Sequence, residues 1–307
     1  MLKPRALRPG DRIAVVSPAS PFARDEFDRG VDELRAQGFE PVWDESVFAR
    51  TGYVSGPPEM RASAFLEAWR DPSVAALVAA RGGYGSVQLL PLLEPDDLRR
   101  TPKAFIGYSD NTSILTWLTI GCGIASFHGP MLEGRLARGK DGFDRTSWLR
   151  CLTSVEPPGE MAPDGLESIR PGEASGPLVG GTLTQLLASF STPFAFDPPD
   201  GCILFLEDVN ERPYRLDRML TQLRLSGVLS RARGIVFGEM PGCDEPGGCP
   251  TARDAISGPL NGFPGPVLFG FPSGHTTGPC WTVPLGVTAR VVGNLRPRLV
   301  IEEAAVT

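Results

Sequence analysis

Ser109 is a residue whose type and position could support nucleophilic chemistry. It lies between an apolar run at residues 104–108, which predicts a strand, and a helical pattern over residues 111–120. A serine at such a turn can expose its hydroxyl at the carboxyl edge of a sheet, with the next backbone N–H directed at a developing oxyanion. The alternative is that Ser109 or Asp110 only caps the helix. The second glycine of the Gly-x-Ser-x-Gly motif is absent.

His128 and His275 are the only histidines in the chain, so a serine nucleophile would have few bases to choose from. His275 lies in a glycine-rich loop after a predicted strand, a position that functional residues favour. His128 lies at the end of a short predicted strand. Either imidazole could instead be a hydrogen-bonded structural group. No metal site is expected, because a catalytic zinc usually needs three protein ligands.

Glu207 is the candidate for a carboxylate that orients the base, because it ends the apolar strand predicted at residues 202–206. Adjacent residues on a strand point to opposite faces, so at most one of Glu207 and Asp208 can face the site. The charged residues that follow, from Glu211 onward, are interpreted as the solvated start of a helix.

A glycine-rich stretch, Arg81-Gly-Gly-Tyr-Gly85, follows the third predicted strand. Its spacing matches neither common phosphate-binding pattern, and no lysine is near, so a phosphate site has little support. Glycine also lets a backbone N–H approach an oxyanion closely, and Gly83 is the candidate for that role. The alternative is an ordinary tight turn.

The elements that would position these residues alternate between strand and helix. Apolar runs and helical spacing predict strands at residues 13–16, 41–43, 74–80, 104–108 and 124–127, with helices between them. Such alternation indicates a doubly wound, mostly parallel sheet. Later β-like runs predict a second, β-rich unit. We therefore predict an α/β protein with an N-terminal domain at 1–135, a Pro- and Gly-rich linker at 136–175 and a C-terminal β-rich α/β domain at 176–307.

Composition narrows the class of partner. The 307 residues carry a formal charge of −6 with a pI near 5.2, which argues against binding to nucleic acid or to anionic lipid. A small molecule or a peptide is the expected partner. The start of the sequence lacks the apolar core of a signal peptide, and no run is long enough to span a membrane, so a cytoplasmic protein is expected. The six cysteines contain no Cys-x-x-Cys pair and are interpreted as reduced thiols.

Several ordered motifs together resemble the LD-carboxypeptidase family, which includes muramoyltetrapeptide carboxypeptidases and microcin-immunity peptidases. The motifs are GDRIAVVSPAS near the start, ARGGYGSVQLLPLL, FIGYSDNTSIL, FHGPM, ILFLEDVNERPYRLDRML and GHTTGPCWTVPLG, and they span nearly the whole chain. The sequence departs from the family's pattern at two places, and these affect the expected substrate more than the catalytic groups. Thr182 stands where relatives often have asparagine, and Thr276 and Thr277 replace a more glycine-rich stretch.

The resemblance implies a Ser109 nucleophile, a Glu207 acid and a His275 base, with the site between the two domains. It also implies an oxyanion hole made by the backbone N–H groups of Gly83 and Asp110. The expected reaction is hydrolysis of the L,D bond that releases terminal D-alanine from murein tetrapeptides in cell-wall recycling, without a cofactor and by a homodimer. The alternatives are a microcin-immunity type peptidase that cuts an aminoacyl-nucleotide amide, and a catalytically silent two-domain binding protein.

Overall fold

The computed structural model describes all residues, 1–307. Its fourteen strands are numbered along the chain: β1 (Arg12–Val16), β2 (Glu40–Val42), β3 (Val74–Ala79), β4 (Ala104–Gly107), β5 (Ser126–His128), β6 (Gly159–Met161), β7 (Glu167–Arg170), β8 (Gly172–Thr182), β9 (Cys202–Glu207), β10 (Ala232–Gly238), β11 (Val267–Phe271), β12 (Val283–Leu285), β13 (Thr288–Gly293) and β14 (Arg298–Ile301).

Nine α-helices connect and cover the strands: α1 (Arg24–Ala36), α2 (Pro58–Arg70), α3 (Pro95–Arg100), α4 (Thr112–Thr116), α5 (Arg145–Thr153), α6 (Leu183–Ala188), α7 (Pro213–Leu225), α8 (Val228–Arg231) and α9 (Ala252–Ser257). Helix α4 passes directly into a π-helical turn at Trp117–Gly121, so the predicted helix over 111–120 is two unlike segments. None of the helices combines the length and the apolar character needed to cross a bilayer.

The first sheet has six strands in the order β12-β5-β4-β3-β1-β2. All neighbours are parallel except β12, which pairs antiparallel with β5. The central strands β3 and β4 are buried along their whole length, as expected for a parallel sheet covered on both faces. Both edge strands contain a proline, Pro41 in β2 and Pro284 in β12, and proline is confined to such edges because it cannot donate to the ladder.

The second sheet has eight strands in the order β6-β14-β13-β8-β9-β10-β11-β7. Strands β8, β9, β10 and β11 are parallel, and antiparallel strands flank them on both sides. A core of 61 buried residues extends from the first sheet into the second and includes Phe205 of β9 and Phe271 of β11. The fold class predicted from the sequence is confirmed: two α/β units, the first doubly wound.

The segment at residues 136–175 differs from the linker predicted there. It contains α5, the edge strands β6 and β7, and the start of β8. Its edge strands are short and mostly exposed or half-buried, so they leave no apolar run in the sequence. The domain bounds at 135 and 175 stay a prediction, and β12 shows that the chain returns to the first sheet near its end.

Candidate active site

The turn after β4 places Ser109 at the carboxyl edge of the first sheet. Ser109 adopts a left-handed backbone with φ of +60°, which is uncommon for a residue other than glycine and is enriched at functional sites. Gly82 lies against it, since a Cβ on Gly82 would come within 2.8 Å of the Ser109 Cβ. Asn111 holds the two segments together, because its Nδ2 donates to the carbonyl of Arg81 at 3.1 Å. Backbone geometry and the Asn111 side chain thus fix the serine beside the glycine-rich loop.

The glycine-rich loop after β3 presents Gly83 with φ of +99° and a backbone N–H that donates no hydrogen bond within the protein. Ser20, which follows β1, fixes this loop: its Oγ accepts from the N–H of Tyr84 at 3.1 Å and donates to the carbonyl of Tyr53 at 2.7 Å. The strand order around β1 and β3 is that of doubly wound sheets, which bind ligands at this position. The unpaired backbone N–H of Gly83 is therefore held at the carboxyl edge of the first sheet, where a ligand is expected to bind.

Asp110 ties the serine turn to the glycine-rich loop through its side chain. Its Oδ2 accepts from the backbone N–H of Ser86 at 2.7 Å, and the Ser86 hydroxyl donates to the Asp110 carbonyl at 2.5 Å. Burial raises the pKa of this carboxyl above its usual value. The backbone N–H of Asp110 lies in the first turn after β4, where helical N–H groups have no intrahelical partner. The carboxylate is structural, and the amide remains the candidate donor.

Glu207 ends β9 and is completely buried. It accepts hydrogen bonds from His275, through the backbone N–H at 2.9 Å and through Nδ1 at 2.8 Å, both at Oε2. The hydroxyl of Thr182 donates to Oε1. Burial alone would raise the pKa of Glu207, but attraction to His275 and His128 and the hydrogen bond from His275 outweigh it and hold that pKa below its usual range. The buried group is a carboxylate ready to orient an imidazole.

His275 lies in a loop at residues 272–281, which is closed at its base because the N–H of Trp281 donates to the carbonyl of Pro272 at 2.7 Å. Its side chain is 19% exposed, and its ring lies 5.1 Å from that of Tyr108, the neighbour of Ser109. Burial lowers the pKa of His275, but the charge and hydrogen bond of Glu207 overcome that effect and raise it. Because Nδ1 is engaged by Glu207, Nε2 is the nitrogen left for a proton from a nucleophile.

No hydrogen bond joins Ser109 Oγ to His275 in this structure, although the two lie on segments in contact through Tyr108. Hydrogen bonds of this kind are often long in proteins without substrate. The other pair of predicted residues, Glu207 and His275, is joined directly. Glu207 ends β9 of the second sheet, and His275 lies in the loop that leads from β11 of the second sheet to β12 of the first.

His128 occupies the opposite side of Glu207 and is fully buried. Its Nδ1 is 2.9 Å from Ser273 Oγ, and its Nε2 lies 3.8 Å from Glu207 Oε1 without a hydrogen-bond partner. Asp208 faces away from the site. It accepts from the N–H and hydroxyl of Thr184 at 2.8 and 2.7 Å, and burial together with Glu207 raises its pKa to about 6. Glu207 is thus the member of the pair that faces the two imidazoles.

Two residues of this region have no role assigned from the sequence. Arg135 is buried beneath the His275 loop, and Glu239 binds that loop from outside, accepting from the N–H and hydroxyl of Thr277 at 2.8 Å each. Neither lies in a pattern that would single it out.

No group of three or more His, Cys, Asp or Glu side chains is arranged to hold a metal ion.

Comparison with known proteins gives consistent matches along the chain. Residues 13–129 match the LD-carboxypeptidase N-terminal domain, and residues 175–291 match the LD-carboxypeptidase C-terminal domain. The chain is 31% identical to the murein tetrapeptide carboxypeptidase of Pseudomonas aeruginosa, with 92% of this chain and 94% of that protein covered. It is 29% identical to the microcin C7 self-immunity protein MccF of Escherichia coli, over 91% of this chain and 89% of that protein.

Solved structures show the same fold. The muramoyltetrapeptide carboxypeptidase of Oxalobacter formigenes matches with a TM-score of 0.83 and 29% identity, covering 95% of this chain and 99% of that one. MccF in complex with glutamyl sulfamoyl guanosine matches with a TM-score of 0.91 and 25% identity over the full length of both chains.

Proposed function

The chain belongs to the LD-carboxypeptidase family of peptidases, and on that premise we propose that it is a serine carboxypeptidase that releases terminal D-alanine from murein tetrapeptides. The observation that carries the proposal is the buried Glu207–His275 pair beside the strained turn of Ser109. A serine, an imidazole and an orienting carboxylate are the groups that acyl transfer through a covalent intermediate requires.

In the proposed mechanism His275 Nε2 removes the proton of Ser109 as Oγ attacks the scissile carbonyl. Glu207 holds Nδ1–H, which selects the tautomer with a free Nε2 and stabilises the imidazolium that forms. His275 then returns the proton to the nitrogen of the departing D-alanine, leaving an acyl-enzyme on Ser109. Water, activated by the same imidazole, hydrolyses that ester and regenerates the serine.

Charge that develops on the carbonyl oxygen is stabilised by the backbone N–H groups of Gly83 and Asp110. These donors are fixed before the reaction by Ser20 on one side and Ser86 on the other. Preorganised donors of this kind contribute about 3–4 kcal/mol each to stabilising the transition state. The proposed chemistry uses only protein groups and water.

The proposed substrate follows from the relatives that are named for murein peptides. Cleavage would take place at an L,D bond next to a diamino acid, in the cytoplasm, as a step of cell-wall recycling, and we propose a homodimer as the working form. Net charge of −6 is compatible with a peptide that has a cationic diamino acid.

A second candidate is cleavage of an aminoacyl-nucleotide amide by the same triad. It is favoured by the full-length structural match to MccF in complex with glutamyl sulfamoyl guanosine. Both candidates use the same catalytic groups and differ only in what the substrate pocket accepts. The third alternative, a silent binding protein, predicts binding without turnover.

Mass spectrometry after incubation with a murein tetrapeptide, an aminoacyl-nucleotide peptide and a D,D-pentapeptide distinguishes these candidates. We expect a loss of alanine from the tetrapeptide alone. The same assay run on tetrapeptides that end in D-alanine, L-alanine and D-alanine amide should give a kcat/KM at least about tenfold higher for free D-alanine, since a misplaced carboxylate strands polar groups of the pocket. Equal values for all three would contradict the proposal. Cleavage of the nucleotide substrate alone would move the assignment to the second candidate.

A further inference from the structure

The guanidinium of Arg135 is buried beneath the loop at residues 272–281, which contains His275, and it binds several carbonyls of that loop. Arg135 is 7% exposed and lies on the segment between the two sheets, just before a 3-10 helix at Leu136–Asp141. Its Nη2 donates to the carbonyls of Gly274 at 3.0 Å and Thr276 at 2.9 Å, and its Nη1 donates to the carbonyl of Gly278 at 3.1 Å. Three carbonyls of alternate residues therefore converge on one planar group.

The same side chain reaches the turn of the nucleophile. Its Nε lies 3.4 Å from the hydroxyl of Tyr108, and its Cζ lies 5.9 Å from the centre of that ring. The Tyr108 ring in turn packs against the imidazole of His275. Arg135 thus contacts the residues on both sides of His275 and the residue that precedes Ser109.

Arg135 forms no ion pair with a carboxylate. A buried charge without such a partner is costly unless its hydrogen bonds are satisfied, and here carbonyl oxygens and a phenol satisfy them. Lysine could keep the charge but lacks the planar fork that binds several carbonyls at once. The conformation of this loop therefore depends on the planar geometry of the guanidinium as well as on its charge.

We propose that Arg135 is a positioning residue that holds the loop at residues 272–281 in the form that keeps His275 on Glu207 and directs its Nε2 toward Ser109. The inference rests on the proposed function, and it adds a residue that acts through His275 without touching substrate. The titratable and charged groups around His275 are Glu207 and Tyr108, which contact it, and Asp208 and Arg135, which act on it through their charge.

Arg135→Lys is the informative variant, because it keeps the charge while removing the fork. We expect kcat to fall about 100-fold, as for a catalytic group displaced by roughly 1 Å, with KM changed by less than about threefold. Arg135→Met should lower kcat further. Arg99→Met is the matched control, since Arg99 also donates to two backbone carbonyls, those of Cys122 and Gly121, at the amino edge of the first sheet, opposite the edge that carries Ser109. It should leave both kinetic constants unchanged.

Two readouts need no substrate. Titration of the His275 ring by NMR should show that its pKa falls toward the ordinary value in Arg135→Lys, because a loosened loop weakens the contact with Glu207 while the charge remains. The rate at which a fluorophosphonate labels Ser109 should fall in parallel, with Ser109→Ala as the unlabelled control. An unchanged or raised His275 pKa, together with wild-type labelling in folded Arg135→Lys, would overturn the inference. Failure of the wild-type protein to cleave any peptide would count against the proposed function alone, since both readouts would still test Arg135.

Discussion

The turn that holds Ser109 and the loop that holds His275 are built in different ways. The turn depends on a left-handed φ at Ser109, on the absence of a side chain at Gly82, and on its own side chains Asp110 and Asn111, which bind the glycine-rich loop. The loop depends on side chains that come from distant parts of the sequence, with Arg135 beneath it and Glu239 outside it. Backbone geometry and side chains within the turn itself therefore position the proposed nucleophile, whereas side chains from distant parts of the sequence position the proposed base.

This difference determines how each region should respond to substitution. A change in the turn removes or displaces an atom that reacts, with little effect on distant elements. A change around the loop alters the hydrogen bonds of buried charged groups, so activity and stability should change together. Substitutions in the turn and around the loop can test whether the two regions respond in these different ways.

The largest effect is expected from Ser109→Ala and His275→Ala, each of which should lower kcat by about 10⁴–10⁶ because triad members act as a unit. Steady-state hydrolysis of a murein tetrapeptide measures it, with Ser113→Ala in α4 as the control. His128→Ala should have a much smaller effect on kcat per folded molecule, since its Nε2 is 3.8 Å from Glu207 and has no partner. Near-normal activity of folded Ser109→Ala would exclude this serine as the nucleophile.

Glu207→Gln should lower kcat by about 10³–10⁴, because an amide can hold the wrong tautomer of the imidazole. Asp208→Asn is its matched partner, one residue away on the opposite face, and should reduce kcat far less. Its effect should instead appear in stability, through the two hydrogen bonds from Thr184. Kinetics and urea unfolding of both variants give the ranking. The reverse ranking would mean that β9 presents Asp208 to the imidazole in solution.

Gly83→Ala should lower kcat by about 100-fold, since displacement of an oxyanion donor weakens stabilisation of the transition state. A Cβ at Gly83 would come within 2.5 Å of Ser20 Oγ, so the loop must shift. Gly10→Ala is the control: Gly10 has a similar φ of +86°, but nothing lies within 4 Å of its added Cβ. Equal kcat values for the two variants would argue against a catalytic role for the Gly83 amide.

The smallest effect is a pH dependence in which stability and activity change in opposite directions near neutrality. The raised pKa of His275 contributes stability that is complete below about pH 6.5 and is lost as pH rises through the folded-state pKa. The lowered pKa of Glu207 contributes stability that is present above about pH 4.5 and is lost as pH falls through its folded-state value.

The contribution of this pair should therefore be greatest between about pH 4.5 and 6.5, whereas kcat/KM should increase above that range, as His275 loses its proton. Urea unfolding and kinetics from pH 5 to 9 measure both trends. His275→Gln should flatten the stability change between pH 6 and 9. A wild-type slope in that variant would assign the change to another group.

Much of the turn and of the Glu207 strand could be predicted from the sequence, because short-range patterns encode them. The alternation of strands and helices located the carboxyl edge, and the alternation of faces along β9 left one of two acids for the site. In the structure the Glu207 carboxylate binds His275, and the Asp208 carboxylate binds Thr184 instead.

The surroundings of the base could not be predicted, for a physical reason. Arg135 and the carbonyl of Gly274 are 139 residues apart, and Thr182 and Glu207 are 25 apart, so no local pattern records either contact. Strand β8 was also missed as a long strand. Its glycines look like turn residues, yet a Cβ at Gly176 or Gly180 would come within 2.0 Å of a carbonyl oxygen. Glycine is needed at these two positions because the neighbouring backbone leaves no room for a Cβ.

Strand β12 has a consequence for how this protein is made. It completes the first sheet beside β5, yet it lies at Val283–Leu285, just after the loop of His275. During synthesis on the ribosome, the half with Ser109 emerges first, and the edge of its sheet stays without a partner until nearly the whole chain has been translated. An unpaired edge can pair with other chains. The nascent first half is therefore a stage at which this protein is exposed to aggregation, and β12 closes that edge only after both Glu207 and His275 have been added to the chain.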